Sequence, residues 1–140
     1  MRHNSEMQSR GFNFAVRRSP INGRGLHTLS NLPARRKVGE ITGTRVKNRV
    51  AWKRVAQMEK IFLVALDDKF SLDISQGSAF KDMNHSCQPN CYLRIIAGRI
   101  EVYTLRRISA GSELTVDYVE TPHPNGMPCR CGAPNCRGVI

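Results

Sequence analysis

Three cysteines stand near the end of the chain in the run CRCGAPNC, at Cys129, Cys131 and Cys136, a C-x-C-x4-C spacing. Thiols at such short intervals belong to metal chemistry. Structural zinc takes four sulfur or nitrogen donors in a tetrahedron, so three ligands in one loop need a fourth from elsewhere. The richest source is NHSCQPNC, residues 84–91, which crowds an amide, an imidazole, a hydroxyl and two thiols around one proline. Cys87 and Cys91 both qualify as the fourth ligand, with His85 and His123 as nitrogen alternatives. Spacing does not choose among them.

Composition narrows the class of protein that carries these groups. A chain of 140 residues with 40% hydrophobic content suits one globular domain. No apolar run approaches the roughly 20 residues that span a bilayer, so no membrane partner is expected. The first residues, MRHNSEMQSR, lack the apolar stretch of a secretion signal, which points to an intracellular protein. There, five cysteines argue for thiols or metal ligation over disulfides, and their odd number agrees. Lysine and arginine total 22 against 11 acidic residues, a formal charge of +11. That balance favours nucleic acid, nucleoprotein or acidic surfaces as partners, while the plainer reading of a merely soluble basic surface stands beside it because no aromatic platform or recognition motif accompanies the charge in the sequence. Phosphate-loop and H-E-x-x-H motifs are absent, and Gly23-Arg24-Gly25 lacks the third glycine of a dinucleotide fingerprint.

The elements that would position these groups are short and β-rich. Alternation in FNFAV puts Phe12, Phe14 and Val16 on one strand face, and SPINGRG follows with turn chemistry. Further strands are expected at 61–66, 70–74, 91–96, 99–105 and 114–118, with hairpin turns at 67–69 and 97–98. NRVAWKRVAQMEK, residues 48–60, lacks alternation and holds good helix formers, so one short basic helix is expected there. Three prolines and a glycine in residues 121–128 read as a linker before the cysteine tail.

NHSCQPNC, then GSELTVDY (residues 111–118), then CRCGAPNCRGVI occur in the order that resembles SET-domain protein-lysine methyltransferases with a post-SET segment. The likeness runs from about Phe12 to Ile140 and takes in GRGL, SLDI with Gly77, and TLRRISAG. It implies a mostly β fold of several small sheets with a knot-like C-terminal crossing, short helices and a zinc-bound tail. Residues 1–11 would be a tail, 12–120 the SET domain and 121–140 the zinc segment. The resemblance also implies Cys87 as the fourth zinc ligand, with Cys91 a free buried thiol. A ligand that far upstream of Cys129 means that the metal folds the tail back over the N-H-S-C loop.

The same resemblance implies S-adenosylmethionine as cosubstrate, zinc as the bound metal and a protein with a target lysine as partner. Tyr118 matches the tyrosine whose hydroxyl orients the amine in a narrow channel. Asn84 and His85 match the residues that hold the cosubstrate, the histidine through its backbone, and Gly23, Arg24 and Gly25 match the loop at its amino-acid end. Val116 occupies a switch position where the family carries phenylalanine or tyrosine, so higher methylation states are expected to fit. In the E-Y-x-G motif this chain reads Glu40-Ile41-Thr42-Gly43, which removes one channel tyrosine. Tyr92 or Tyr103 is expected to substitute in space, or Tyr118 works with backbone carbonyls alone. The competing reading is a basic zinc-bearing module that binds nucleic acid or nucleoprotein without strong catalysis. Salt-sensitive DNA binding without cosubstrate binding would distinguish it.

Overall fold

The structure is a computed structural model that describes residues 5–57, 62–118 and 128–139. In chain order the strands are β1 (Ser5–Ser9), β2 (Phe12–Arg18), β3 (Arg24–Thr28), β4 (Lys37–Ile41) and β5 (Thr44–Lys47). Helix α1 (Asn48–Val55) precedes β6 (Leu63–Ala65), β7 (Phe70–Asp73), β8 (Asn84–His85), β9 (Cys91–Ile96), β10 (Arg99–Thr104) and β11 (Thr115–Val116). They form small sheets in the orders β1-β2-β3, β4-β10-β9, β5-β7-β6 and β11-β8, as the resemblance implied.

Local chemistry accounts for the turns. Ala97 and Gly98 both have positive φ (51° and 75°), the conformation that a tight β9–β10 hairpin demands. Before β7, Asp67 Oδ1 accepts the backbone N–H groups of Lys69 and Phe70 at 2.8 and 2.7 Å. Helix α1 starts where expected and covers Asn48–Val55. Its first residue is pinned to the β6–β7 hairpin, since the buried Asn48 donates to Asp67 O and accepts from the Ser71 hydroxyl at 2.6 Å. Residues 58–61, within the expected helix and the following strand, lie outside the described residues.

One strand was not anticipated. Ser5–Ser9 pairs antiparallel along β2, turning through Arg10 and Gly11, both at positive φ. Part of the expected tail is therefore an edge strand. With β1 and β3 on its two sides, β2 buries Phe14, Ala15 and Val16 in succession, so its expected alternation is partly lost.

All sheets contribute to the apolar core. Phe14, Leu26, Val38, Ile100, Val102 and Leu114 are fully enclosed. Phe80 meets Phe14 edge to face with centroids 5.3 Å apart. Gly39 makes room for that ring, because a Cβ there would run into Phe80.

The segment after Gly111 joins these sheets to the chemistry. Leu114 N donates to Leu26 O at 2.7 Å and Glu113 bridges His27, so the chain runs antiparallel beside β3. It then becomes β11 and lies parallel to β8, with Thr115 opposite Asn84 and Val116 opposite His85. This crossing brings the N-H-S-C and E-L-T-V-D-Y motifs side by side.

Candidate active site and metal centre

The sulfur atoms of Cys87, Cys129, Cys131 and Cys136 all lie within 4.8 Å of one another. Zinc–sulfur bonds of about 2.3 Å in a tetrahedron require sulfurs about 3.8 Å apart. Cys87 and Cys129 are 3.8 Å apart. The donor set therefore fits one structural zinc ion, and of the candidates in the N-H-S-C loop it is Cys87 that joins the tail. Backbone groups complete the arrangement: Arg137 N–H donates to Cys87 Sγ at 3.3 Å and Cys87 N–H points to Cys131 Sγ at 3.5 Å. Burial raises the Cys129 thiol to about 12. Burial acts the same way on Cys131, but the N–H groups of Cys87 and Ala133 with the neighbouring thiols bring it to about 6. Such a cluster gives up its first proton readily, as a metal site must. Cys91 is enclosed at the start of β9, apart from these sulfurs, and burial pushes its thiol up to about 12, which leaves it inert. His123 lies outside the described residues.

On the other side of β8, the buried Asn84 amide reaches the carbonyls of Asn22 and Arg24, each at 3.1 Å, and Glu113 Oε2 at 2.9 Å. Asn84 thus ties the Gly23-Arg24-Gly25 turn to β11. Gly23 has φ of +51° and nothing within 4 Å of where a Cβ would stand, so its backbone faces open space. A Cβ at Gly25 would instead collide with the Glu113 carboxylate, which also accepts from Ser19 at 2.8 Å. Glu113 was not singled out from the sequence. Its position as the acid of G-S-E-L was the available signal, since a carboxylate in an apolar strand needs partners.

A narrow apolar cavity of about 30 Å³ is lined by Ile41, Phe80, Met83, Leu93, Val116 and Tyr118 among others. Among the described residues Tyr118 supplies the one hydroxyl of that lining and donates it to Met83 O at 2.7 Å. Burial, with Glu113 and Asp82 nearby, holds the phenol above its ordinary pKa. It therefore stays a neutral donor. Ile41 stands where the motif would carry tyrosine and adds only hydrocarbon. Tyr92 and Tyr103, expected as stand-ins, do not line this cavity: they stack on each other with centroids 5.5 Å apart, and Tyr103 donates to Glu101 at 3.3 Å.

The metal centre and the phenol are joined through His85. Its Nδ1 accepts the Tyr118 backbone N–H at 2.9 Å, which in the neutral ring assigns the proton to Nε2. Nε2 faces Cys87 Sγ at 3.3 Å. Burial lowers the His85 pKa, Asp117 opposing and Arg137 reinforcing, so the ring stays neutral as this bonding requires. The expected backbone role of His85 is thus joined by a side-chain role the motif alone did not reveal. A second link runs from the tail, where Arg137 grips Asp117 through two bonds of 3.0 and 2.8 Å. An arginine in one motif facing an aspartate in the other was the only sequence signal for it.

Comparisons with known proteins agree with this geometry. Residues 23–119 match the SET domain family. The Saccharomyces cerevisiae histone-lysine N-methyltransferase, H3 lysine-4 specific, is 35% identical over 136 residues, covering 88% of this chain and 13% of that protein. Human histone-lysine N-methyltransferase 2B is 37% identical over 137 residues, covering 89% of this chain and 5% of its own length. The chain thus spans a small part of these relatives. Among solved structures, that of KRYPTONITE with mCHH DNA, an H3(1-15) peptide and SAH superposes with a TM-score of 0.73 at 27% identity, over 91% of this chain and 29% of that one. With the family match, the motif order, the β8–β11 crossing and the four-thiol cluster in agreement, the chain belongs to the SET-domain family.

Proposed function

We propose that this chain transfers a methyl group from S-adenosylmethionine to the ε-amine of a lysine in a protein substrate. The observation that carries the reading is the cavity whose one phenol among the described residues is Tyr118, lined also by Met83, the neighbour of the Asn84 that anchors the Gly23-Arg24-Gly25 turn. The relatives named above are histone-lysine methyltransferases, and the solved neighbour holds SAH and a histone peptide. The open backbone at Gly23 and the amide of Asn84 suit a compact polar ligand. Gly23, Arg24, Gly25, Asn84 and His85 would hold the cosubstrate there. When bound, its sulfonium supplies an electrophilic methyl carbon and a neutral thioether leaving group.

The protein's own contribution is orientation and dryness. An amine of pKa ~10.4 is neutral at pH 7 only at a cost of roughly 4–5 kcal/mol. The apolar lining lowers that cost by disfavouring the ammonium form. Tyr118 keeps its proton and cannot be the base, so it positions the amine while the departing proton goes to water. With Val116 and Ile41 in the lining, the described residues offer no second hydroxyl to restrain a methylated amine, so trimethyl product is expected. Residues 12–120 form the catalytic unit in this reading and 121–140 the zinc segment. The thiol cluster suits a reducing, intracellular compartment.

The test is transfer of labelled methyl groups from S-adenosylmethionine into lysate proteins, with mass spectrometry of the modified residues. Tyr118→Phe should lower kcat about 100-fold, within the usual range for a positioned proton-bearing group, with fold and zinc content unchanged. Absence of label with zinc-loaded protein, or equal rates for the variant, would refute the proposal.

A further inference from the structure

The β4–β10 ladder continues past both strands. Arg35 N–H donates to Thr104 O and Thr104 N–H to Arg36 O, each at 3.0 Å, and Leu32 pairs with Ile108 through bonds of 2.8 and 3.0 Å. Two Arg-Arg pairs distant in sequence, Arg35-Arg36 and Arg106-Arg107, therefore ride on one antiparallel ribbon, and all four side chains are exposed. The exposed Arg94 on β9 stands across from Glu101, farther along the same sheet. From residue 31 to 37, 88 to 99 and 102 to 112 the chain carries no carboxylate. The nearest, Glu40 and Glu101, are held by Lys37 at 2.8 and 2.9 Å, with Arg99 at 3.6 Å from Glu101. An aromatic pair stiffens the ribbon: Tyr92 stacks on Tyr103, and the Arg35 guanidinium covers Tyr92 at 5.7 Å.

We infer that this arginine ribbon is a docking face for the phosphate backbone of duplex DNA. Arginine forks match phosphate oxygens, and a rigid ribbon whose nearest acids are already paired with Lys37 lets several bind at once. A single strand would need free ring faces on which bases stack. Tyr92 is already engaged by both Tyr103 and Arg35, so a duplex is the better fit. The contacts would be to backbone, indifferent to base sequence. This face is separate from the cavity, and the inference stands whether or not methyl transfer is found.

Fluorescence anisotropy of the full chain with a labelled 30-base-pair duplex, from low to moderate salt and without cosubstrate, tests it. Arg36→Gln with Arg107→Gln, neither of which makes a side-chain hydrogen bond or ion pair among the described residues, should weaken binding about tenfold or more and flatten the log–log salt slope by about two. Arg49→Gln with Lys53→Gln on α1, an equal change of charge, should stay near the wild type. Equal losses from both pairs would overturn the inference, as would an unchanged slope. So would tighter binding to phosphatidylserine vesicles or polyglutamate that is lost through the same ribbon substitutions. Circular dichroism of each variant, matched to the wild type, confirms that binding rather than folding is read.

Discussion

In the β core, Phe14, Leu26, Val38 and Ile100 have no exposed surface, whereas from residue 128 to 139 no residue is buried and Val139 is 59% exposed. Each enclosed aliphatic or aromatic side chain contributes about 1.5–3 kcal/mol by leaving water, so the core sustains itself. The tail has no such term. It is fastened by four thiols, the Arg137–Asp117 pair and a few backbone bonds such as Cys129 N–H to Gly138 O at 2.8 Å. Structural zinc binding contributes about 10–16 kcal/mol in small metal-folded peptides, enough to order a segment with no core. Two parts of one chain thus fold by different physics, and the tyrosine of the candidate site lies at their junction.

The sharpest way to break the core alone is Phe14→Ala. It should cost about 3–5 kcal/mol by leaving a cavity beside Phe80, measured as a drop in the urea midpoint. Zinc affinity per folded molecule should change little, and a parallel fall in metal affinity would show that the two regions are not separable.

At the junction, His85→Gln should lose the bridge between Tyr118 N–H and Cys87 Sγ. Groups that hydrogen-bond to metal ligands typically affect affinity about 10–100-fold, so chelator competition should show a loss of that size, with kcat also lowered. Unchanged zinc affinity would reduce His85 to a core residue. A smaller effect is expected from Arg137→Gln, because Arg137 is half exposed and such pairs contribute about 0–1 kcal/mol. Its signature is a modest rise in KM that added salt reproduces in the wild type.

The pH profile sharpens the comparison further. Because Tyr118 is raised above its ordinary pKa, it loses no proton between pH 7 and 10. Activity should therefore climb with the neutral fraction of the lysine, roughly tenfold per unit at its steepest. A falling limb near pH 9 would reassign the phenol.

How much was legible follows from the same division. The cysteines and the N-H-S-C run announced the metal centre because thiolate spacing is chemistry written locally, and the hairpins at Asp67 and Ala97-Gly98 followed from turn residues. Strand β1 was hidden because an edge strand is held by backbone bonds and Met7 is its main apolar contribution. The roles of His85, Glu113 and Arg137 were hidden for a related reason. Each acts through a partner 20 to 94 positions away, and residue type alone does not show which distant groups the β8–β11 crossing brings within about 3 Å. Tyr92 and Tyr103, expected as stand-ins in the channel, stack on each other instead, because residue type does not show which part of a strand meets the cavity.

The most direct test of the central claim is to remove zinc with a chelator while recording far-ultraviolet circular dichroism and methyl transfer on the same sample. If metal closure of the tail completes the site, activity should fall by about 100-fold or more, the scale of losing a positioned catalytic constellation, while the β signal persists and added zinc restores turnover. Full activity in metal-free protein, or collapse of the β signal together with the metal, would contradict it.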